Sequence, residues 1–187
     1  MKTLRLTLGS LMFLTQMTFA QDLFMSHNAE ISFFSSTPVE DIDAHSKTAV
    51  SALNTKTGQV FMKVENTSFS FKEKLMEEHF NENYMESDKY QYTLFDGKIL
   101  DLPNIKEVGT HHVFVQGKLN MHGVAKEYKV PAILVYENGK YEASATLKVK
   151  LVDHKIEVPS LLFNKIAETI EIKIKTHYHE KQLASVK

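Results

Sequence analysis

Residues 117–156 read GKLNMHGVAKEYKVPAILVYENGKYEASATLKVKLVDHKI, and this stretch decides the fold. Within it, residues 141–151 carry an apolar or aromatic side chain at every odd position and a polar or charged one at every even position. A two-residue period of this kind is typical of a β-strand with one dry and one wet face. The pattern predicts that the odd positions face a core together, namely Tyr141, Ala143, Ala145, Leu147 and Val149.

A short turn joins this strand to the one before it. Residues 127–136 form the preceding strand, and Asn138-Gly139 lies between the two. Asn-Gly between two such strands is the strongest short-range signal for a β-hairpin, because both residues tolerate a positive φ. Pro131 has no N–H to donate to a neighbouring strand, so it predicts a bulge or a sheet edge at that position.

Another strand is predicted upstream, at residues 111–121. Gly117 occupies a position in it where a side chain would otherwise project, and we expect a bend or a bulge there. His122-Gly123 turns this strand into the next one. The residues that fall on its dry face are Val113, Val115, Leu119 and Met121.

The rest of the chain contains further strands and two segments of helical character. Residues 72–89 place apolar side chains at helical spacing, and residues 158–167 predict a short helix with a proline near its first turn. Residues 168–178 alternate clearly again. Less regular strands are predicted at residues 30–35, 47–53, 59–64, 67–71 and 90–100.

These elements predict an all-β domain, an antiparallel eight-stranded barrel with one or two short helical insertions. A closed barrel buries every dry face and leaves no sheet edge. An eight-stranded barrel either is filled by its own side chains or holds one slender ligand. Gly117, Ala132, Ala143 and Ala145 leave space on the dry faces, but bulky neighbours could fill it. Both interpretations stay open.

The first twenty residues have the layout of a secretory signal peptide. Lys2 and Arg5 give a positive start, an apolar run follows, and the segment ends on Ala20. The apolar run is too short to span a bilayer well, and the chain has no cysteine that could carry a lipid anchor. We expect residues 1–20 to be removed and residues 21–187 to form the barrel in the periplasm or outside the cell, without an integral membrane segment.

The composition argues against two classes of partner. The net charge of −1 becomes −3 when Lys2 and Arg5 are removed, and Arg5 is the only arginine of the chain. Nucleic acids and anionic membranes select proteins with a basic excess, so we expect neither as a partner. Since there are no disulfide bonds, stability must come from the core.

The nine histidines are the candidates for a metal site. His177 and His179 share one face of a strand within reach of a single ion. No third ligand is near in sequence, and a solvated strand end explains the pair better than a metal site does. The acids at residues 40–43, near His45, form a conceivable paired-carboxylate site. No nucleophile motif such as Gly-x-Ser-x-Gly supports catalysis. We therefore predict no metal, no cofactor and no enzymatic activity.

Three segments of the chain resemble the YceI-like family. Residues 115–126, VQGKLNMHGVAK, and the following YKVP at residues 128–131 are similar to the central strand–turn–strand signature of the family. Residues 75–84, LMEEHFNENY, resemble its helix, and residues 151–160 resemble its late segment before the closing strand. The early part of the family pattern is faint around residues 31–57. Together the segments follow the family order over most of the mature chain.

This resemblance implies an extended, lipocalin-like β-barrel of an exported bacterial protein. Characterised relatives hold a polyisoprenoid or an isoprenoid-tailed quinone in an apolar tunnel and act as carriers, not as enzymes. A hydrocarbon tail needs only apolar walls, because its burial contributes roughly 25 cal/mol for each Å² removed from water. We therefore expect an isoprenoid lipid as the partner, and the sequence specifies no protein partner.

The expected ligand contacts lie on two strands and on the helix. His79 either hydrogen-bonds the polar head of the ligand or ties the helix to the barrel. Two other functions stay open, an envelope metal-assisted hydrolase that uses histidines and a structural or stress-related barrel that is packed solid. The predicted contacts are Val113, Val115, Leu119, Met121, Tyr141, Ala143, Ala145, Leu147, Val149, His79 and Phe80.

Overall fold

The computed structural model describes residues 22–158 and 166–180, which form an all-β fold. The predicted signal peptide and most of the second predicted helix lie outside these residues. The described part contains nine strands: β1 Leu23–Ser36, β2 Asp41–Asn54, β3 Gln59–Glu65, β4 Ser70–Phe71, β5 Tyr92–Ile99, β6 Gly109–Met121, β7 Val124–Glu137, β8 Lys140–Lys150 and β9 Thr169–Glu180.

Eight of these strands close into an antiparallel barrel. Hydrogen bonds join them in the order β1-β9-β8-β7-β6-β5-β3-β2, and β2 pairs again with β1. The closing ladder runs from Leu23 opposite Asn54 to Ser36 opposite Asp41, so it uses the full length of both strands. The eight-stranded barrel predicted from the sequence is confirmed.

Two tight turns set the register of β6, β7 and β8. β6 meets β7 at His122-Gly123, where φ is 51° and 72°, and β7 meets β8 at Asn138-Gly139, where φ is 52° and 74°. A positive φ at both central residues is the signature of the type I′ turn, whose twist matches that of the flanking strands. Both predicted turns are confirmed.

The two faces of β6 and β8 follow the predicted alternation. Every even position of β8 is exposed. Ala143 and Ala145 occupy inward positions but are only half-buried. The buried positions of the two strands are Val113, Val115, Leu119, Met121, Tyr141, Leu147 and Val149.

Gly117 does not produce the predicted bend or bulge. β6 keeps continuous register with both neighbours through Gly117, which lies opposite Gly97 of β5 and Tyr128 of β7. A Cβ atom at Gly117 would overlap the carbonyl oxygen of Asp96 and the Cα of Gly97. The glycine is needed because two backbones approach closely here, and the pattern of one strand cannot distinguish that requirement from a bulge.

Pro131 marks the end of the ladder between β7 and β8. Their pairing runs from Glu137 opposite Lys140 to Ala132 opposite Ala145 and stops there. β7 continues back to Val124 with β6 as its partner. Pro131 therefore lies at a local sheet edge, one of the two predicted alternatives, where its missing N–H is tolerated.

The helical insertion is shorter than predicted. The α-helix α1 spans Lys74–His79 and continues as a π-helical turn over Phe80–Tyr84. The strand predicted at residues 67–71 shrinks to β4, because Asn66–Ser68 form a 3-10 turn. No helix in the described ranges is long and apolar enough to cross a membrane.

β1 and β2 are longer than the strands predicted at residues 30–35 and 47–53. The register between them shifts twice, between Ser26 and Ala29 and between Ala29 and Ile31. Such irregularities interrupt the two-residue alternation of side chains. The alternation therefore could not reveal the full length of these strands.

We expect Gly117→Ala to lower the free energy of unfolding by about 1–3 kcal/mol, because the added methyl group is forced against the β5 backbone. Urea denaturation followed by circular dichroism measures the change. The control is Gln116→Ala at the adjacent exposed position, which should change the free energy by less than about 0.5 kcal/mol. Equal effects of the two substitutions would contradict the close approach of β5 and β6.

Candidate functional site

A cavity of about 440 Å³ occupies the middle of the barrel. Ligand pockets commonly measure about 300–1,000 Å³. All eight barrel strands contribute side chains to its wall, as do α1 and the segment after β8. The barrel is therefore not packed solid, and the hypothesis of a filled structural barrel loses its physical basis.

Small side chains keep the centre of the cavity open. Ala132 of β7 lies opposite Ala145 of β8, and Ala143 follows two residues earlier on the same face. All three alanines border the cavity. Each is only half-buried although its position points inward. Alanine ends at Cβ, so these positions leave the volume that larger side chains would fill.

One end of the barrel is closed by packed side chains, and we call it the closed end. Phe24 packs edge-on against Tyr141 with ring centroids 4.7 Å apart, and Tyr136 stacks on Tyr141 at 4.4 Å. Leu53 and Ile105 are buried in the same cluster. Burial raises the pKa of the Tyr141 hydroxyl to about 12, as expected for a phenol held away from water.

The cavity reaches the surface beside α1, at an opening that we call the mouth. Leu75 of α1 borders the cavity and is 61% exposed. His79, at the end of the helix, borders the cavity and is exposed as well. Glu40, just before β2, also belongs to the wall. The mouth therefore lies between the helix and the β1–β2 turn.

Four phenylalanines form an aromatic section of the cavity wall next to α1. They are Phe33, Phe69, Phe71 and Phe80, which we call the phenylalanine cluster. In five pairs of these rings the centroids lie between 5.1 and 5.7 Å apart, and Phe33 stacks on Phe80 at 5.4 Å. Aromatic rings in such arrangements bury large apolar areas with defined geometry, so this section suits a hydrocarbon ligand.

A buried histidine fastens the segment after β8 to the β6–β7 hairpin, where β7 no longer pairs with β8. Nδ1 of His154 lies 3.0 Å from the carbonyl oxygen of Val124 and 3.3 Å from that of Met121. Nε2 of His154 lies 2.9 Å from the hydroxyl of Tyr128. Carbonyl oxygens only accept, so Nδ1 carries the hydrogen and Nε2 accepts from the tyrosine. Burial lowers the pKa of His154, although the two carbonyls act in the opposite direction.

His122 links the same segment to the chain after the π-helical turn. Its Nδ1 lies 3.0 Å from the carbonyl oxygen of His154, and its Nε2 lies 2.7 Å from a carboxylate oxygen of Glu86. The ring of Tyr90 packs edge-on against it at 4.6 Å. These contacts hold three connections of the barrel together at the end opposite the closed end.

Comparison with known proteins places this barrel in a family. The sequence profile of the YceI-like domain matches residues 16–178. The chain belongs to the YceI-like family. None of the curated proteins compared with it matches.

Solved structures share the YceI-like fold. A polyisoprenoid-binding domain from Saccharophagus degradans, implicated in plant cell wall breakdown, has a TM-score of 0.75 at 15% identity and covers 86% of this chain and 99% of its own. BcnA of Burkholderia cenocepacia has a TM-score of 0.68 at 16% identity, and the match covers 81% of this chain and 96% of BcnA. The YceI protein of Campylobacter jejuni has a TM-score of 0.59 at 16% identity and covers 97% and 100%. At these identities the likeness concerns the fold alone.

Most of the predicted ligand contacts border the cavity of this YceI-like barrel. Tyr141 and Val149 do not, because they are packed at opposite ends of β8, where they are 1% and 0% exposed. Ligand contact stays a prediction for all of the predicted residues. The predicted contacts in the wall are Val113, Val115, Leu119, Met121, Ala143, Ala145, Leu147, His79 and Phe80.

Other parts of the wall were not among the predicted contacts. The alternation at residues 170–178 does place apolar side chains on one face, so the sequence of β9 could have predicted its wall residues. The sequences of β1 and β2 predict their wall residues less clearly, because shifts of register interrupt the alternation. The additional wall residues include Ile31, Phe33, Leu53, Met62, Ile172, Ile174, Thr176 and Tyr178.

Within the described ranges, histidines of the YceI-like barrel meet acidic residues in pairs, such as His122 with Glu86 and His177 with Glu142. Within residues 22–158 and 166–180, no group of three or more His, Cys, Asp or Glu side chains is placed to hold a metal ion. His177 instead pairs with Glu142 on the outer face of the barrel, at 3.1 Å. The envelope hydrolase hypothesis requires such a group at the mouth, so the arrangement of these residues gives it no support.

We expect the stabilisation by His154 to weaken as the pH falls from about 7 to 5. Burial lowers the folded-state pKa of His154 below the ordinary value of 6.5. As the pH falls, the imidazole therefore binds a proton in the unfolded chain before it does so in the folded protein. Its stabilisation is then fully present above the unfolded pKa and is lost as the pH falls toward the folded pKa. Urea denaturation of the wild type and His154→Gln at several pH values measures the difference in stability. A difference that stays constant or grows at low pH would contradict a buried neutral imidazole.

Proposed function

We propose that this YceI-like protein is an exported carrier or store that holds a polyisoprenoid or an isoprenoid-tailed quinone in its barrel without catalysing a reaction on it. The observation that carries the proposal is the apolar cavity of about 440 Å³ that reaches the surface at the mouth. The YceI-like family and the polyisoprenoid-binding domain of the same fold support it.

The wall chemistry favours a hydrocarbon ligand. Aliphatic and aromatic side chains make up most of the wall, and Glu40 and His79 border it at the mouth. Removing apolar surface from water contributes roughly 25 cal/mol for each Å², without any charged contact. The backbone positions of three alanines fix the open volume at the centre. Other side chains of the wall therefore need not move to make room for the ligand.

Two of the histidines at the mouth-side end, His122 and His154, have structural roles. Both ring nitrogens of His154 and of His122 engage groups of neighbouring connections. A general base needs a nitrogen that can reach a substrate proton, and these nitrogens are occupied. Their role in the proposal is to hold the barrel wall around the ligand.

The layout of residues 1–20 supports export into the periplasm or the medium. Expression of the full chain in a Gram-negative host, followed by fractionation and N-terminal sequencing, tests this part of the proposal. We expect a soluble envelope or secreted product that begins at Gln21. A product that keeps residues 1–20 in the cytoplasm would contradict it.

We expect Ala145→Phe to abolish most lipid binding while the protein keeps its stability, because the new ring occupies the open volume. The probe is phytane, a branched isoprenoid hydrocarbon, and bound lipid is measured by extraction and gas chromatography after gel filtration. Thermal unfolding is measured on the same samples. We expect at least about a tenfold loss of bound phytane, which corresponds to about 1.4 kcal/mol.

The matched control is Thr146→Phe, the same substitution at the neighbouring exposed position of β8. It should bind phytane like the wild type. If Ala145→Phe instead costs about 1–3 kcal/mol of stability as in a filled core, and the wild type takes up no phytane, the proposed function is wrong.

A further inference from the structure

The volume of the cavity limits how much of an isoprenoid chain the barrel can enclose. In another protein, an apolar cavity of about 150 Å³ accommodates one benzene molecule, which is about 25 Å³ for each carbon atom. At that ratio the cavity of about 440 Å³ holds about 18 carbon atoms. Since an isoprene unit contributes five carbon atoms, the enclosed length is about three to four units.

The closed end sets the inner limit of this length. Leu53 and Tyr178 border the cavity and belong to the cluster that closes this end, and they are 1% and 2% exposed. In the same cluster, Phe24 and Tyr136 pack on Tyr141 with ring centroids 4.7 and 4.4 Å away. Side chains packed this closely leave no path for a chain, so a ligand cannot extend past the closed end.

A chain that is longer than the cavity therefore has to leave through the mouth. Leu75 borders the cavity there and is 61% exposed, and Val39 of the β1–β2 turn is 59% exposed. Single apolar side chains such as these cover only a few carbon atoms. Residues 72–74, which precede Leu75, are Lys, Glu and Lys, and all three are exposed. The carbon atoms of a longer chain that lie outside the cavity are therefore in contact with water.

Surplus carbon atoms make a long chain a poor ligand when a membrane competes for it. In a bilayer the whole chain is surrounded by hydrocarbon. Each methylene group that is moved from there into water lowers the affinity by a factor of about four. A chain that the cavity encloses avoids this loss, because it exchanges one apolar environment for another.

We propose that the barrel selects isoprenoids by length and takes from a membrane chains of about three to four isoprene units, leaving much longer polyisoprenoids behind. The inference rests on the carrier function proposed above and narrows its ligand class. A quinone ring fills part of the same volume, so a quinone that fits carries a correspondingly shorter tail.

Transfer from vesicles tests this selection. Sucrose-loaded phosphatidylcholine vesicles carry equal amounts of farnesol, geranylgeraniol, hexaprenol and solanesol, which have three, four, six and nine isoprene units. The vesicles are incubated with the protein and removed by centrifugation, and the alcohols bound to the protein in the supernatant are quantified by liquid chromatography. We expect farnesol and geranylgeraniol each to be bound at least about tenfold more than hexaprenol or solanesol.

Two substitutions should shift the enclosed length in opposite directions. Leu53→Ala removes three carbon atoms at the inner end of the cavity and should raise the ratio of bound geranylgeraniol to bound farnesol at least about threefold. Ala143→Leu adds three carbon atoms to the wall and should lower that ratio at least about tenfold. If one of the two variants does not fold, the other still tests the inference.

Each substitution has a matched control. Ile105→Ala also removes three carbon atoms from the closed-end cluster, where Ile105 is 1% exposed, but Ile105 is not among the described residues that border the cavity. Thr146→Leu introduces a leucine at an exposed position of β8. Both controls should keep the wild-type ratio. Folding of each variant is checked by its thermal unfolding midpoint.

The outcomes separate this inference from the carrier function. If hexaprenol or solanesol is bound as well as geranylgeraniol, the length limit is overturned and the carrier function stands. If Leu53→Ala and Ile105→Ala change the ratio equally, or if neither Leu53→Ala nor Ala143→Leu changes it, the cavity does not set the limit. If the wild type takes up none of the four alcohols, and no phytane from vesicles that contain it, the carrier function is refuted together with the length limit.

Discussion

The closure of eight strands into one ring forces every inward side chain to share a single lumen, and the size of those side chains decides what the lumen can do. β1 must pair with both β9 and β2 for the ring to exist. Once it is closed, the backbone radius is fixed by the number of strands and their stagger. Ala132, Ala143 and Ala145 then cannot move together to fill the space between them. The open volume is a consequence of the ring, not of any one strand.

The two ends of the ring differ in how they are sealed. At the closed end, aromatic and aliphatic side chains such as Phe24 and Tyr141 pack against each other. At the other end, backbone connections cross the barrel and are held by the hydrogen bonds of His154 and His122. Apolar packing closes the first end, whereas the cavity reaches the surface beside α1 at the second end. This asymmetry supports entry of a ligand from the side of α1.

Much of the fold follows from local patterns in the sequence. Asn138-Gly139 specifies a type I′ turn because of its backbone preference, and the alternation in residues 141–151 specifies which face is dry. The length of β1 and β2 does not follow, because bulges interrupt their period. The role of Gly117 does not follow either, since it depends on Gly97 in another strand.

The site was predictable to the extent that it lies on regular strands. Ala143 and Ala145 follow from the period of β8, but Tyr141 and Val149 share that period and lie outside the cavity wall. A period identifies a face, and only the three-dimensional closure identifies which part of the face remains uncovered.

The most direct test of an open, lipid-holding lumen is native mass spectrometry of the protein produced from its full sequence in a bacterial host and purified without detergent. The account predicts a population heavier than the polypeptide by the mass of one isoprenoid, which organic solvent releases for identification. Protein that carries no lipid after purification, and takes up none when incubated with phytane or phytol, would contradict the account.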